Sequence, residues 1–234
     1  MKKYRTKLLL KELFRKSIHL CSALVPFFLK KWYWLTVALL VFALVAYTFC
    51  ELTRLKGKSI PVISKITELA ARKRDEDKFV LGPVTLVLGI LLAALTIPDP
   101  KYRTIGIFAL AFGDGLASLC GKLFGRVHIP FTKGKTVAGS LACFTAVFIS
   151  SFCVLQLTEA AFIVAFAAMT IELLPLADMD NIIIPPVIGW LSMTGITWLT
   201  TAFPFSKFSL FNIRNKDFCR EAASYIMLYQ QKRK

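Results

Sequence analysis

Residues 113–140 read Gly113-Asp-Gly-Leu-Ala-Ser-Leu-Cys-Gly-Lys-Leu-Phe-Gly-Arg, then Val-His-Ile-Pro-Phe-Thr, then Lys133-Gly-Lys-Thr-Val-Ala-Gly-Ser140. One acid, four basic side chains and six glycines fall in this stretch, which starts inside one apolar segment and ends in the next. Polar groups at membrane depth are expensive, and where they persist they mark function.

Outward from that stretch the chain is apolar. It is 56% hydrophobic, with mean hydropathy +0.61. Runs such as residues 32–50 are nearly charge-free and approach the ~20 residues that cross a bilayer as helix. The fold class read from this is all-α, a polytopic membrane helix bundle of about seven transmembrane helices. The expected spans are 17–29, 32–50, 80–97, 103–124, 137–157, 160–174 and 182–201. The first is short, so its helix starts earlier and carries Arg15 and His19 one turn apart on one face. Residues 1–202 form a single catalytic domain and 203–234 a basic tail. In 52–79, Val62, Ile63, Ile66, Leu69 and Ala70 recur at helical spacing, which suits an interfacial helix or a solvated linker helix.

The chain carries 30 Lys and Arg against 14 Asp and Glu. Without a nucleic-acid-binding motif this charge excludes nucleic acid as partner and points to membrane lipids and polyphosphates. With the amino terminus inside, the inner connections hold nineteen Lys and Arg and the outer ones four. This places the protein in the bacterial inner (cell) membrane with its polar clusters on the cytoplasmic side. The seven basic residues of the tail fall outside if all seven segments cross, a conflict with the same rule. The six cysteines are scattered with no Cys-x-x-Cys pair, so neither a zinc site nor a disulfide framework is supported. The basic amino terminus is not a cleaved signal peptide, because no small-residue cleavage site follows.

Three clusters carry chemistry. In the first, Gly113, Ala117, Gly121 and Gly125 recur at spacing four and make a ridge of minimal side chains, with Gly115 inside the same motif. Asp114, Ser118, Lys122 and Arg126 run beside it. The small ridge reads either as a helix-packing seam or as room for a ligand; the seam alone leaves Asp114 and the polar ridge unexplained. Next come Lys133, Lys135 and Thr136 before a helix start, with Gly139 and Ser140 just inside it. Free backbone N–H groups there, with two lysines, suit phosphate. Gly134-Lys135-Thr136 resembles the end of a P-loop, but Ile129 stands where the first glycine belongs and no strand precedes it. The last cluster is Glu172, Asp178, Asp180 and Asn181, oxygen ligands of the kind that hold Mg²⁺ together with substrate phosphates. Its alternative reading is a solvated acidic loop, from which Glu172, inside an apolar span, stands apart.

In order, Arg15-Lys16-x-x-His19, the Gly113-Asp114-Gly115 motif with its glycines at spacing four, Lys135-Thr136-x-x-Gly139-Ser140, Glu172 and Asp180-Asn181 before Pro185 resemble the CTP-dependent lipid kinases. This family includes dolichol, phytol and CTP-using diacylglycerol kinases, and the loop before Lys135 is most similar to the phytol kinase branch. The resemblance implies CTP as phosphoryl donor and a lipid alcohol as acceptor. With it, Asp114, Glu172, His19, Arg15 and Lys16 become the expected catalytic residues. Gly113, Gly115, Ser118, Gly121, Lys122, Gly125, Lys133, Lys135, Thr136, Gly139 and Ser140 would bind the nucleotide. Asp114, Asp178, Asp180 and Asn181 would hold Mg²⁺. The alternatives are a phosphatidate cytidylyltransferase using the same nucleotide, and a transporter of an anionic lipid or metabolite, against which the missing internal repeat argues.

Overall fold

The computed structural model describes residues 2–57, 79–132, 134–176 and 179–202. Among the described residues the regular structure is helical, and the only pairing outside it is one antiparallel bridge between His128 and Thr136. The helices are α1 (Lys2–Cys21), α2 (Val25–Lys31), α3 (Tyr33–Leu55), α4 (Gly82–Thr96), α5 (Pro100–Phe124), α6 (Val137–Leu155), α7 (Thr158–Leu173) and α8 (Asp180–Ala202). The chain divides into two units, Met1–Gly195 and Ile196–Lys234, and the site described below belongs to the first.

Of these helices, α3, α5 and α6 are long and apolar enough to cross a membrane. α4 and α7 are shorter, at 15 and 16 residues. The expected first span is not one helix. Pro26 has no N–H to give Ser22 O, so the chain tightens into a 3-10 turn at Ser22–Leu24 and restarts as α2. The expected interfacial helix falls mostly on residues 58–78, and the basic tail on 203–234, both outside the described residues.

Local chemistry sets the helix ends. Asp99 caps α5 by accepting from Lys101 N at 2.8 Å, with Pro100 in the first turn where a missing N–H costs nothing. Thr136 caps α6, accepting from Gly139 N at 3.2 Å, and Gln156 ends it in the left-handed conformation. α7 stops just before Pro175.

The bundle buries a stripe of small and branched residues and leaves large ones outside. Ala93, Ile107, Leu110, Ala111, Val147, Ala161 and Ile188 are fully buried, while Trp34, Phe42 and Phe49 along α3 are exposed, a face suited to lipid. Glycines set the closest approaches, as in membrane bundles generally. A Cβ on Gly106 would overlap Pro185 O, and one on Gly89 would overlap Asn181 O, so α8 lies hard against α4 and α5. Within α5, residues Ala109–Asp114 widen into a π-helical turn that is buried almost throughout. Such turns concentrate at functional sites because they re-aim the side chains that follow.

Candidate active site

Asp114 closes the π-helical turn and is 8% exposed. From α1, Lys16 Nζ reaches its Oδ2 at 2.5 Å. His19 Nδ1 stands 3.0 Å from the same oxygen, close enough for attraction though not aligned as a directed hydrogen bond. Lys16 is 2% exposed and therefore depends on this partner, since an unpaired buried charge is strongly destabilising.

One turn further along α5, Ser118 and Lys122 meet a residue not anticipated from the sequence, Glu12. Its Oε1 accepts from Arg15 Nη2 at 2.6 Å and from Ser118 Oγ, and Lys122 Nζ lies 2.7 Å from Oε2. Burial alone would push the Glu12 carboxyl up. The Arg15 charge and the hydrogen bonds from Lys122, Ser118 and Arg15 outweigh it and hold the group at about 2. A signal for Glu12 was present, because positions 12, 15, 16 and 19 share one helical face.

The loop after α5 folds back on itself. Ile129 N donates to Lys135 O at 2.9 Å, Val137 N to Val127 O at 3.1 Å, and Thr132 Oγ1 to Ile129 O at 2.7 Å. Gly134 takes φ +90, a conformation that only glycine adopts without strain. The turn brings Lys135 to α7, where its Nζ lies 3.0 Å from Glu172 Oε1. Glu172 Oε2 is buried and has no hydrogen-bond partner. The start of α6 is less open to an anion than its sequence implies. Val137 N–H is taken by Val127 O and Gly139 N–H by Thr136 Oγ1, so two of its first three amides are already engaged.

A cavity of about 550 Å³ lies between these groups. Of the expected site residues, Arg15, Lys16, Asp114, Ser118, Gly121, Lys122, Gly125, Lys135, Thr136, Gly139, Ser140, Glu172 and Asp180 line it. Glu12, His128, Thr132 and Pro175, which were not expected, line it too. His19 reaches it only through Asp114. Gly113 faces Val147 and Cys143, Gly115 faces Leu20, and the Asn181 amide donates to Thr85 Oγ1 at 3.1 Å, so these three stand apart from the cavity. Lys133 and Asp178 lie outside the described residues. The glycine ridge is also a seam: a Cβ on Gly121 would lie 2.9 Å from Thr136 Oγ1, and one on Gly139 2.8 Å from Ala117 O. The seam holds the start of α6 against α5 while leaving the cavity wall thin.

Among the described residues no three His, Cys, Asp or Glu side chains are placed to share a metal ion. The donor set still fits Mg²⁺, which takes one or two carboxylates and completes its shell with water and phosphate. Asp180, ahead of the apolar run of α8, is raised to about 7 by burial and by the nearby Asp114 charge, against the pull of Lys16 and Lys135. Two carboxylates that resist joint ionisation are where a divalent cation is favoured.

The chain is 26% identical over 199 residues to a probable chloroplastic phytol kinase of Triticum aestivum, covering 76% of this chain and 66% of that protein. It is 31% identical over 140 residues to an uncharacterised protein of Methanocaldococcus jannaschii, covering 58% of this chain and 68% of that one. It is also 28% identical over 149 residues to the dolichol kinase of Saccharomyces cerevisiae, covering 58% of this chain and 28% of the yeast protein. Its homologues are phytol, dolichol and farnesol kinases, at modest identity. Its alignments span two thirds or less of the named kinases. No family model and no solved structure matches it. The apolar helices and the dolichol kinase homologue together indicate an integral membrane protein, here with a charged cavity among its helices.

Proposed function

We propose that the protein is a membrane-embedded kinase that moves the γ-phosphoryl group of CTP onto the hydroxyl of a lipid or isoprenoid alcohol such as a polyprenol, phytol or diacylglycerol. The observation that carries this reading is the cavity itself. Four cations, Arg15, Lys16, Lys122 and Lys135, and four carboxylates, Glu12, Asp114, Glu172 and Asp180, surround one space among apolar helices. The family contributes phosphoryl transfer to lipid alcohols. The resemblance in the motifs contributes CTP.

Phosphoryl transfer needs positioning and charge neutralisation more than covalent catalysis. Lys135, Lys122 and Arg15 take the phosphates. Lys16 and His19 fix Asp114 in one orientation. Asp114 and Asp180, with Asp178 two residues before Asp180 in sequence, would hold Mg²⁺, whose charge would neutralise the phosphates. Glu172 is the proton acceptor. Lys135 occupies one of its oxygens and leaves the other buried without a partner. The alcohol oxygen attacks the γ-phosphorus, the bond to the β–γ bridging oxygen breaks, CDP leaves, and the hydroxyl proton passes to Glu172. The acceptor's tail stays in lipid while its hydroxyl meets the nucleotide, and the Lys and Arg excess of the inner connections supports the cytoplasmic face for that event.

The test is incubation of purified protein in detergent with a panel of alcohols and CTP labelled at the γ or the α position. Label in lipid from the γ position is expected, with ATP the poorer donor. Label only from the α position would identify a cytidylyltransferase, and no transfer to any alcohol would leave transport as the surviving reading.

A further inference from the structure

Glu12 has no part in the reaction as written, yet it is 6% exposed and collects three donors. We propose that Glu12 is a positioning residue, a carboxylate that holds Arg15 and Lys122 so that their remaining donors face the nucleotide phosphates. The inference rests on the kinase reading and adds to it the residue that sets the phosphate grip.

Both donors are long side chains from different helices, and Lys122 is half exposed, so each would otherwise sample many rotamers. Glu12 takes one N–H from each. Arg15 Nε stays buried with no hydrogen-bond partner, and Lys122 keeps two further N–H groups. A clasp that only joined α1 to α5 would spend the donors it orders. A buried donor left over beside a cavity, as Arg15 Nε is, calls for an acceptor that arrives later. A polyphosphate supplies several, and Arg and Lys grip it best when preorganised. Ser118 completes the arrangement by holding Oε1 from the α5 side. The low position of the Glu12 carboxyl keeps it ionised across the physiological range.

The experiment measures CTP binding to purified protein in detergent, and the KM for CTP and for the alcohol, in wild type, Glu12→Gln, Lys122→Gln and the double variant. Glutamine keeps the size of the side chain and one acceptor but loses the charge. Glu12→Gln is expected to weaken CTP binding and raise its KM on the order of tenfold, with the KM for the alcohol within about twofold of wild type. The double variant should lose less than the sum of the two single losses, because Glu12 acts partly through Lys122. Unchanged CTP binding in Glu12→Gln, or a loss confined to thermal stability, overturns the proposal. Tighter binding overturns it too, since it would mean that Glu12 blocks the phosphate position. Should Glu12→Gln fail to fold, Glu12→Asp decides: its shorter carboxylate should give intermediate CTP affinity, and wild-type affinity overturns the proposal. Wild-type protein that binds no nucleotide overturns the kinase reading as well, whereas binding that Glu12→Gln leaves intact overturns this inference alone.

Discussion

At the start of α5, Arg103 is 8% exposed and gives its guanidinium to backbone, with Nε and Nη2 at 3.2 and 2.8 Å from Ile97 O and Nη2 at 3.3 Å from Pro98 O. The Tyr33 ring lies 4.9 Å away, and Tyr33 donates to Ala94 O at 2.9 Å. In the second half of the same helix, Asp114, Ser118 and Lys122 are paired with side chains of α1 instead. Carbonyl oxygens of a helix end cannot leave, so Arg103 is a fixed clasp joining α5 to the end of α4. Side-chain pairs can exchange partners, so the charges around Asp114 are available to a ligand. Burial alone does not separate the two kinds of charge; the nature of the partner does.

Asp114→Asn tests this contrast most severely. It is expected to lower phosphoryl transfer by about a thousandfold or more, because it removes the charge that Lys16 and His19 hold in place. The measurement is turnover in protein that still elutes as a single species in detergent, and wild-type turnover would end the argument for a site. Lys135→Ala comes next. The KM for CTP should rise roughly ten- to a hundredfold with little change for the alcohol, since Lys135 is assigned to phosphate. At the other end of α5, Arg103→Met should cost about 2–3 kcal/mol of stability by leaving carbonyls unpaired. Thermal unfolding checks the loss, and the KM for CTP should stay within about twofold, because distant sites act independently. If Arg103→Met instead changed KM more than stability, the division of α5 into a clasp and a site would fail.

The smallest effect concerns pH. Glu12 sits at about 2 in the folded protein against an ordinary 4.5. A carboxyl lowered by folding contributes stability that is complete above about pH 4.5 and lost as pH falls towards 2. The stability gap between wild type and Glu12→Gln should therefore narrow over that interval in denaturation measured at several pH values. A constant gap would mean that the three donors do not depend on the Glu12 charge.

Much of the site was legible because helical spacing is legible. Asp114 and Glu172 were readable as polar groups out of place in apolar helices, Arg15 and Lys16 as the basic face leading into the first span, and Lys135 as a cation before a helix start, and each lines one cavity. The pairings were not readable. Ser118 lies 106 residues from Glu12, and nothing local at either position predicts the contact. The glycines were ambiguous for the same reason. Whether Gly121 makes room for a ligand or for a helix depends on which neighbour arrives, and it is Thr136 of α6 together with the cavity. Asn181 looked like a metal ligand beside Asp180, but one residue along a helix turns a side chain by about 100°. That rotation sends its amide to Thr85.

The sequence by itself determined the helical membrane character of the chain, the helix limits set by Asp99, Thr136 and Pro175, and the inventory of charges that had to be gathered somewhere. These follow from hydropathy, periodicity and capping, which act within a few residues. The tertiary structure alone decided which charges neutralise one another, that Glu12 is among them, and that Glu172 keeps a free buried oxygen. It also decided that much of the α6 start is already occupied. Those outcomes turn on which helix faces meet across a long separation in the chain, and the energy of a buried charge is set by its neighbours in space.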